Sequence, residues 1–323
     1  MKQIIKFVDR ACSRVFMRFI PEKASLLTFL FHGLFLDENE IALNHVDPQQ
    51  RITVAQFEEF VEFYVARGYK FVSPGDVMAG LRSDNKYIMI TFDDGYYNNI
   101  YALPVLNKYK VPAVFFISTN NILHNKSFWW DILYRTRRKQ GCSEKQIAAQ
   151  GKSLKVLTAD KIEEYLIREF GVDCLKPISA IDRPFTPDEL KSFALDPFVH
   201  LGNHTSDHAI LTNYTVEGVR DQIMAAQYDI YRLAGVKPII ISYPNGSYSA
   251  DVLKVTKDLG IVMGITIVPT KNYLPIDMQG IDSVHLGRFI LVGDSGIKTQ
   301  CDVLRSEFSI YNKIKNFVKK PAV

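Results

Sequence analysis

The residues of this chain best equipped for chemistry lie in two short stretches. Thr91-Phe92-Asp93-Asp94-Gly95 sets two adjacent carboxylates where the apolar run Tyr87-Ile88-Met89-Ile90 is ending. Like charges that close repel and are costly to bury, so an isolated Asp-Asp-Gly reads first as a turn. Far downstream, His200, His204 and His208 fall within nine residues. His204 and His208 are four apart, a spacing that on a helical turn puts both imidazoles on one side, as a metal requires. Alone, such a pair is also common on ordinary surfaces. Together, the two stretches suggest one answer. A divalent cation ligated by one carboxylate makes its neighbour tolerable as an ionised base. Asp94, His204 and His208 then give three protein ligands and leave a position for water, the arrangement of catalytic zinc, with Asp93 placed to take a proton from that water. Two imidazoles and a carboxylate suit zinc first, while cobalt, nickel or manganese fit the same donors.

Both stretches need elements that bring them to one place. Short apolar runs alternate with helical patterns along the chain, the signature of βαβ units and a parallel sheet. Strands are expected over 26–31, 69–72, 87–91, 113–118, 199–202, 239–243, 263–267 and 288–291, with helices near 54–67, 75–82, 100–109, 215–234 and 250–259. The carboxylates and the histidines follow two of these strands, at the end where parallel α/β architectures bind ligands. So many units suit a barrel better than a short open sheet. Residues 122–185 break the rhythm and read as a mainly helical insertion. It ends at Thr186-Pro187-Asp188-Glu189, a capping box with proline at the first helical position. Trp129 and Trp130 open it, either as a packing anchor or as a platform for sugar faces.

In these motifs the chain resembles the polysaccharide deacetylases of carbohydrate esterase family 4, also called NodB-like. TFDDG at 91–95 and HTSDH at 204–208 match two family motifs in order, and SYPNG at 242–246 resembles a third. The flanking FVSPGDVMAGL, VPAVFFIS and RPFTPDELKSFA fit as well, so the likeness runs over residues 26–292. It implies an α/β fold, a deformed (β/α) barrel of about seven units. It implies Asp93 as catalytic base and Asp94, His204 and His208 as metal ligands. In the third motif, Tyr243 and Asn245 become the substrate and oxyanion residues, with the Asn245 amide on the oxyanion. Two departures matter. The late Leu-x-His whose histidine acts as acid is missing, since His285 has no leucine two residues before it. Leu30-Phe31-His32 offers that motif at the N-terminal side instead, as in circularly permuted members, and assigns the acid to His32. Ser242 stands where an arginine usually holds the base, and Arg288, on a late strand, is the replacement or a purely structural partner of Asp93.

The bulk numbers bound the rest. The 323 residues are 47% hydrophobic and 23% charged, with net charge +4, an ordinary globular composition. No apolar run approaches the roughly 18 residues that span a bilayer. Residues 1–23 carry six basic against two acidic side chains, with apolar residues at helical spacing. Such a basic amphipathic helix either packs on the domain or lies on an anionic membrane surface. The segment from 310 to 320 is similar. No basic stripe with interleaved aromatics suggests nucleic acid. The four scattered cysteines favour a reducing setting, and the start of the chain is not signal-like. The expectation is therefore a cytoplasmic protein, with peripheral contact at the membrane face as the alternative to packing of that helix on the domain. It divides into a basic segment (1–25), the barrel (26–295) and a basic tail (296–323). The resemblance implies N-deacetylation of an amino sugar in a glycan or in a lipid- or nucleotide-linked intermediate of surface polysaccharide synthesis. A small-amide hydrolase and a silent glycan-binding protein stay open as alternatives.

Overall fold

A computed structural model of the protein describes residues 19–307. The chain enters through β1 (Ser25–Phe31), then α1 (Glu38–Ala42), α2 (Val54–Val65), β2 (Lys70–Phe71), α3 (Pro74–Ala79), β3 (Tyr87–Phe92), α4 (Leu103–Tyr109) and β4 (Ala113–Ile117). Helices α5 (Thr119–His124), α6 (Trp129–Lys139), α7 (Glu144–Leu154) and α8 (Ala159–Phe170) follow one another. The alternation resumes with α9 (Pro187–Phe193), β5 (Val199–Asn203), α10 (Val216–Ala234), β6 (Ile240–Ser242), α11 (Ala250–Asp258) and β7 (Met263–Ile265). Short strands β8 (Asn272–Tyr273) and β9 (Phe289–Ile290) and helix α12 (Ile297–Arg305) complete it. Each strand expected from the sequence is present within a few residues. Strand β8 and helices α1 and α12 were not foreseen; β8 has two residues, too few for any periodicity to show. Helix α12 buries Ile297 and Cys301 in the main core. The amphipathic segment of residues 1–18 and the stretch 310–320 lie outside the described residues.

Register explains how the strand ends meet. Strands β1, β3, β4, β5, β6 and β7 pair in parallel, and β9 runs parallel to β1. A bridge between Ile265 and Leu286 ties β7 to the chain entering β9, which completes the curl into a deformed barrel. Leu26 faces Tyr87 and Phe31 faces Phe92, so His32 and Asp93 leave the sheet side by side, with the Asp93 amide donating to the Phe31 carbonyl at 2.9 Å. The same holds one strand over, where the His204 amide donates to Ile117 at 3.1 Å.

Alternation then sorts the side chains. Leu27, Phe29, Phe31, Ile88, Ile90, Phe92, Phe115 and Ile117 face outward into a core shared with α2, whose Phe57 and Phe60 pack edge to face on Phe31 and Phe29 while Tyr64 tilts against Phe29. Burying such a ring contributes about 1.5–3 kcal/mol. The intervening residues fill the barrel: Leu26, Met89, Val114, Phe116, Ile240, Met263, Ile265 and Leu286 form a separate apolar plug. Continuing by twos up that inner face gives His32, Asp93, His204, Ser242 and Arg288. The barrel is therefore apolar below and polar at its C-terminal mouth.

Return from the insertion to the barrel is stapled as the sequence suggests. Thr186 caps α9 and receives the Glu189 amide, while Glu189 accepts from the Thr186 amide. Arg183 also grips Glu189 with both guanidinium nitrogens, at 2.7 and 2.9 Å. This Arg183 hydrogen bonding holds Glu189 down at about 2. A lowered folded-state value means the stabilisation is present above the unfolded value near 4.3 and disappears as pH falls through about 2. Because the pair is partly exposed, Glu189→Gln is expected to cost only about 1 kcal/mol at pH 7. Urea melts should show that difference vanishing toward pH 2.

Candidate active site

Four residues at the mouth of the barrel hold backbone angles that side chains usually avoid: Asp94 (φ 80°), Thr205 (63°), His208 (49°) and Asn245 (58°). Such strain collects where a site dictates the chain path. Gly95 follows at φ 90°, and an added Cβ would press on Ile117 at 3.3 Å, so the turn after the two aspartates requires glycine. The histidine pair is a correction. His204 and His208 do not share a helical turn; the segment after β5 is a loop. Its left-handed residues at 205 and 208 fold it back and bring the two rings to 4.9 Å.

Asp94, His204 and His208 offer ligand atoms that all lie within 4.8 Å of one another. Nε2 of His204 is 3.3 Å, and Nε2 of His208 3.4 Å, from Asp94 Oδ1. The His204 Nδ1–H donates to the Ser242 carbonyl at 2.7 Å, which turns the Nε2 lone pair toward the carboxylate. Burial pushes His208 down to about 3, keeping it neutral and able to ligate. Both Asp94 oxygens are buried without a well-aligned hydrogen-bond donor. A carboxylate buried between two imidazoles, with no hydrogen bond aligned on either oxygen, leaves lone pairs for a cation to take up. The donor set therefore fits a divalent metal of the first transition row.

Asp93 is held quite differently. Arg288 grips it bidentately, with 2.7 Å to each oxygen, and also donates to Thr91 Oγ1 and the Thr266 carbonyl. Ser242 Oγ donates to Asp93 Oδ2 at 3.1 Å and accepts from Arg288 at 3.0 Å. Burial alone would raise Asp93, but the Arg288 charge outweighs it and keeps the carboxyl well below the usual range. Ser242, where an arginine is usual, thus joins the pair. His32 enters the same cavity as Asp93, Asp94, His204 and His208. Its Nδ1 lies 2.9 Å from Gln50 Oε1.

The cavity measures about 570 Å³ and is walled on one side by the insertion. Helices α6 and α7 contribute Trp129, Leu133, Ile147, Lys152 and, just beyond, Lys155. Of the two roles expected of the tryptophans, the contacts of Trp130 show the packing one. It stacks on Phe128, donates Nε1–H to Tyr96, and lays its ring 4.5 Å from that of His208. Asn245 lines the cavity and accepts from Lys155 Nζ at 2.8 Å. Tyr243 needs a correction. Because Ser242 faces inward, the next residue faces outward; the Tyr243 ring is fully buried against α11 and its hydroxyl donates to Val284. Its side chain belongs to the packing and not to the cavity. Gln50 and the Asp131–Tyr96–Trp130 chain of hydrogen bonds, which backs His208, were missed. Neither has a spacing signal, although an aspartate on the apolar face of α6 was a hint.

Comparison with known proteins agrees with this layout. A family model described as polysaccharide deacetylase matches residues 81–264, more than half of the chain. YxkH of Bacillus subtilis (strain 168), a protein named for the same family, is 23% identical over 224 residues, covering 68% of this chain and 60% of YxkH. Among solved structures, the Streptococcus pyogenes deacetylase PplD in complex with acetate superposes with a TM-score of 0.59 at 15% identity, over 87% of this chain and 99% of that one. BC0361, a polysaccharide deacetylase from Bacillus cereus, gives 0.60 at 16% identity, over 87% and 69%. At such identities the structures speak for the fold, and the sequence match carries the rest: the chain belongs to the polysaccharide deacetylase family.

Proposed function

We propose that the protein is a metal-dependent N-deacetylase acting on an N-acetylated amino sugar. The observation that carries this reading is the convergence of His32, Asp93, Asp94, His204 and His208 on one cavity from three separate strand ends. Asp94, His204 and His208 would hold the cation, which when bound supplies Lewis acidity to the amide carbonyl and to water. Asp93 stays ionised through Arg288 and keeps lone pairs beyond its three hydrogen bonds, so it can accept the proton of the attacking water. The Asn245 amide faces the developing oxyanion. As the carbon–nitrogen bond breaks, His32 gives a proton to the departing amine, leaving acetate and an amino sugar.

The carrier we propose is a lipid- or nucleotide-linked intermediate of surface polysaccharide synthesis, handled at the cytoplasmic membrane face. Supporting this, Arg51, Lys152 and Lys155 on the cavity wall could meet a phosphate linkage, and residues 1–23 are basic enough for anionic lipid. The test is acetate release by the zinc-loaded full chain from N-acetylglucosamine conjugates, set against simple N-acetylalkylamines. Conjugates should be turned over, and Asp93→Asn and His32→Ala should each lose about 10²–10⁴-fold. Full activity in either variant, or a preference for the alkylamines, defeats the reading.

A further inference from the structure

His32 is held from behind by a residue that no motif includes. Gln50 is buried, in a loop between α1 and α2, and both its neighbours Gln49 (φ 44°) and Arg51 (φ 54°) are left-handed non-glycine residues. A loop strained on either side of one side chain is a loop that must present it. Gln50 Nε2 lies 2.7 Å from the Leu30 carbonyl and 3.0 Å from the Leu291 carbonyl, so it spans the seam where β1 meets the end of β9. Its own carbonyl accepts from the Gly293 amide at 2.7 Å. The same histidine is steadied by Asn99, whose Nδ2 donates to the His32 carbonyl at 2.9 Å.

This arrangement fixes protons as well as positions. Two carbonyl oxygens can only be satisfied by the amide NH2, whose two hydrogens serve one each. Flipping the amide would set an oxygen against two oxygens and break both bonds. Oε1 must therefore face His32 Nδ1, and an acceptor there requires Nδ1 to carry a hydrogen. We infer that Gln50 is a positioning residue that locks neutral His32 as the Nδ1–H tautomer, the form a free histidine side chain disfavours, and leaves Nε2 as the nitrogen that exchanges protons with the substrate. The inference deepens the acid role given to His32 above and rests on that role for its consequence. After Nε2 delivers its proton to the departing amine, the ring is already the tautomer that accepts the next one there. No ring flip separates one turnover from the next. Because Gln50 is uncharged, it orients the ring without a counter-charge that would retain the proton.

The tautomer can be read without turnover. In full-length protein with ¹⁵N-labelled histidine, two-bond ¹⁵N–¹H correlations at a pH where the ring is neutral distinguish the two forms, and the His32→Asn spectrum identifies the signal. Wild type should show Nδ1 protonated; an Nε2–H ring overturns the inference whether or not the protein deacetylates sugars. Gln50→Leu should release the ring to the Nε2–H form and lower kcat about 10–100-fold with KM little changed. Retention of Nδ1–H in that variant would equally overturn it. If wild type shows the expected tautomer but releases no acetate, the proposed activity fails and the positioning role stands.

Discussion

Asp94→Asn is expected to abolish metal binding and lower deacetylation by at least about 10³-fold, while leaving the metal-free protein as stable as before or more so. The two halves of this result have one cause. Asp94 is 1% exposed and neither oxygen receives a well-aligned donor. Without a cation, burial works against its charge and only the imidazoles around it, His204 foremost, offset that cost and keep the carboxyl below its ordinary value. Asparagine keeps the shape and removes the charge. It also offers an NH2 that can donate to the His204 or His208 nitrogen now aimed at Oδ1. A residue that served the fold would behave oppositely. Metal analysis by mass spectrometry and thermal melts with and without chelator check both halves. Wild type should gain stability on zinc addition, by RT ln(1 + [L]/Kd), and the variant should gain none. A variant that melts lower than wild type under chelator would mean that Asp94 is a structural carboxylate.

How much of this was legible in the sequence follows from the physics of each part. Parallel strands covered on both faces read as unbroken apolar runs, so the strands announced themselves. Asp93 and Asp94 were legible because charge at the end of such a run contradicts burial and demands a reason. The His204–His208 pair was legible as a pair but not as a geometry. A four-residue spacing is compatible with a helical turn, and only the left-handed angles at Thr205 and His208 produce the same proximity in a loop. Tyr243 went astray because a motif names residues without saying which face they take. Counting by twos from Ser242 sends it outward. Gln50 was invisible, since its bond to His32 spans 18 positions with only one short helix between them and depends on a seam closed 241 residues later. Arg288 was legible only through resemblance, and its isolated charge in a late strand could equally have capped the barrel.

Arg288→Met should cost about 3–5 kcal/mol, because it strands a buried carboxylate that was paired on both oxygens. Its dependence on pH separates this cause from lost packing. In wild type the Asp93 carboxyl lies well below its ordinary value, since Arg288 overcomes the burial that would raise it. A lowered folded-state value stabilises the protein above the unfolded value near 3.9, and the gain is lost only as pH falls through the folded one. Removing Arg288 leaves burial dominant and moves Asp93 above its unfolded value. The sign then reverses, and the variant loses stability as pH rises through that new value. Denaturant melts in chelator should therefore show the gap between wild type and Arg288→Met widening from pH 4.5 to 7.5. Asp93→Asn placed on Arg288→Met should recover much of the loss and flatten the dependence. A gap of equal size at both pH values would assign Arg288 to packing alone. The same substitution should lower kcat about 10²-fold, since a carboxyl that burial shifts toward its protonated form is a poorer acceptor for the proton of the attacking water. The buried pair thus serves the chemistry, keeping Asp93 charged in a place where burial alone would neutralise it.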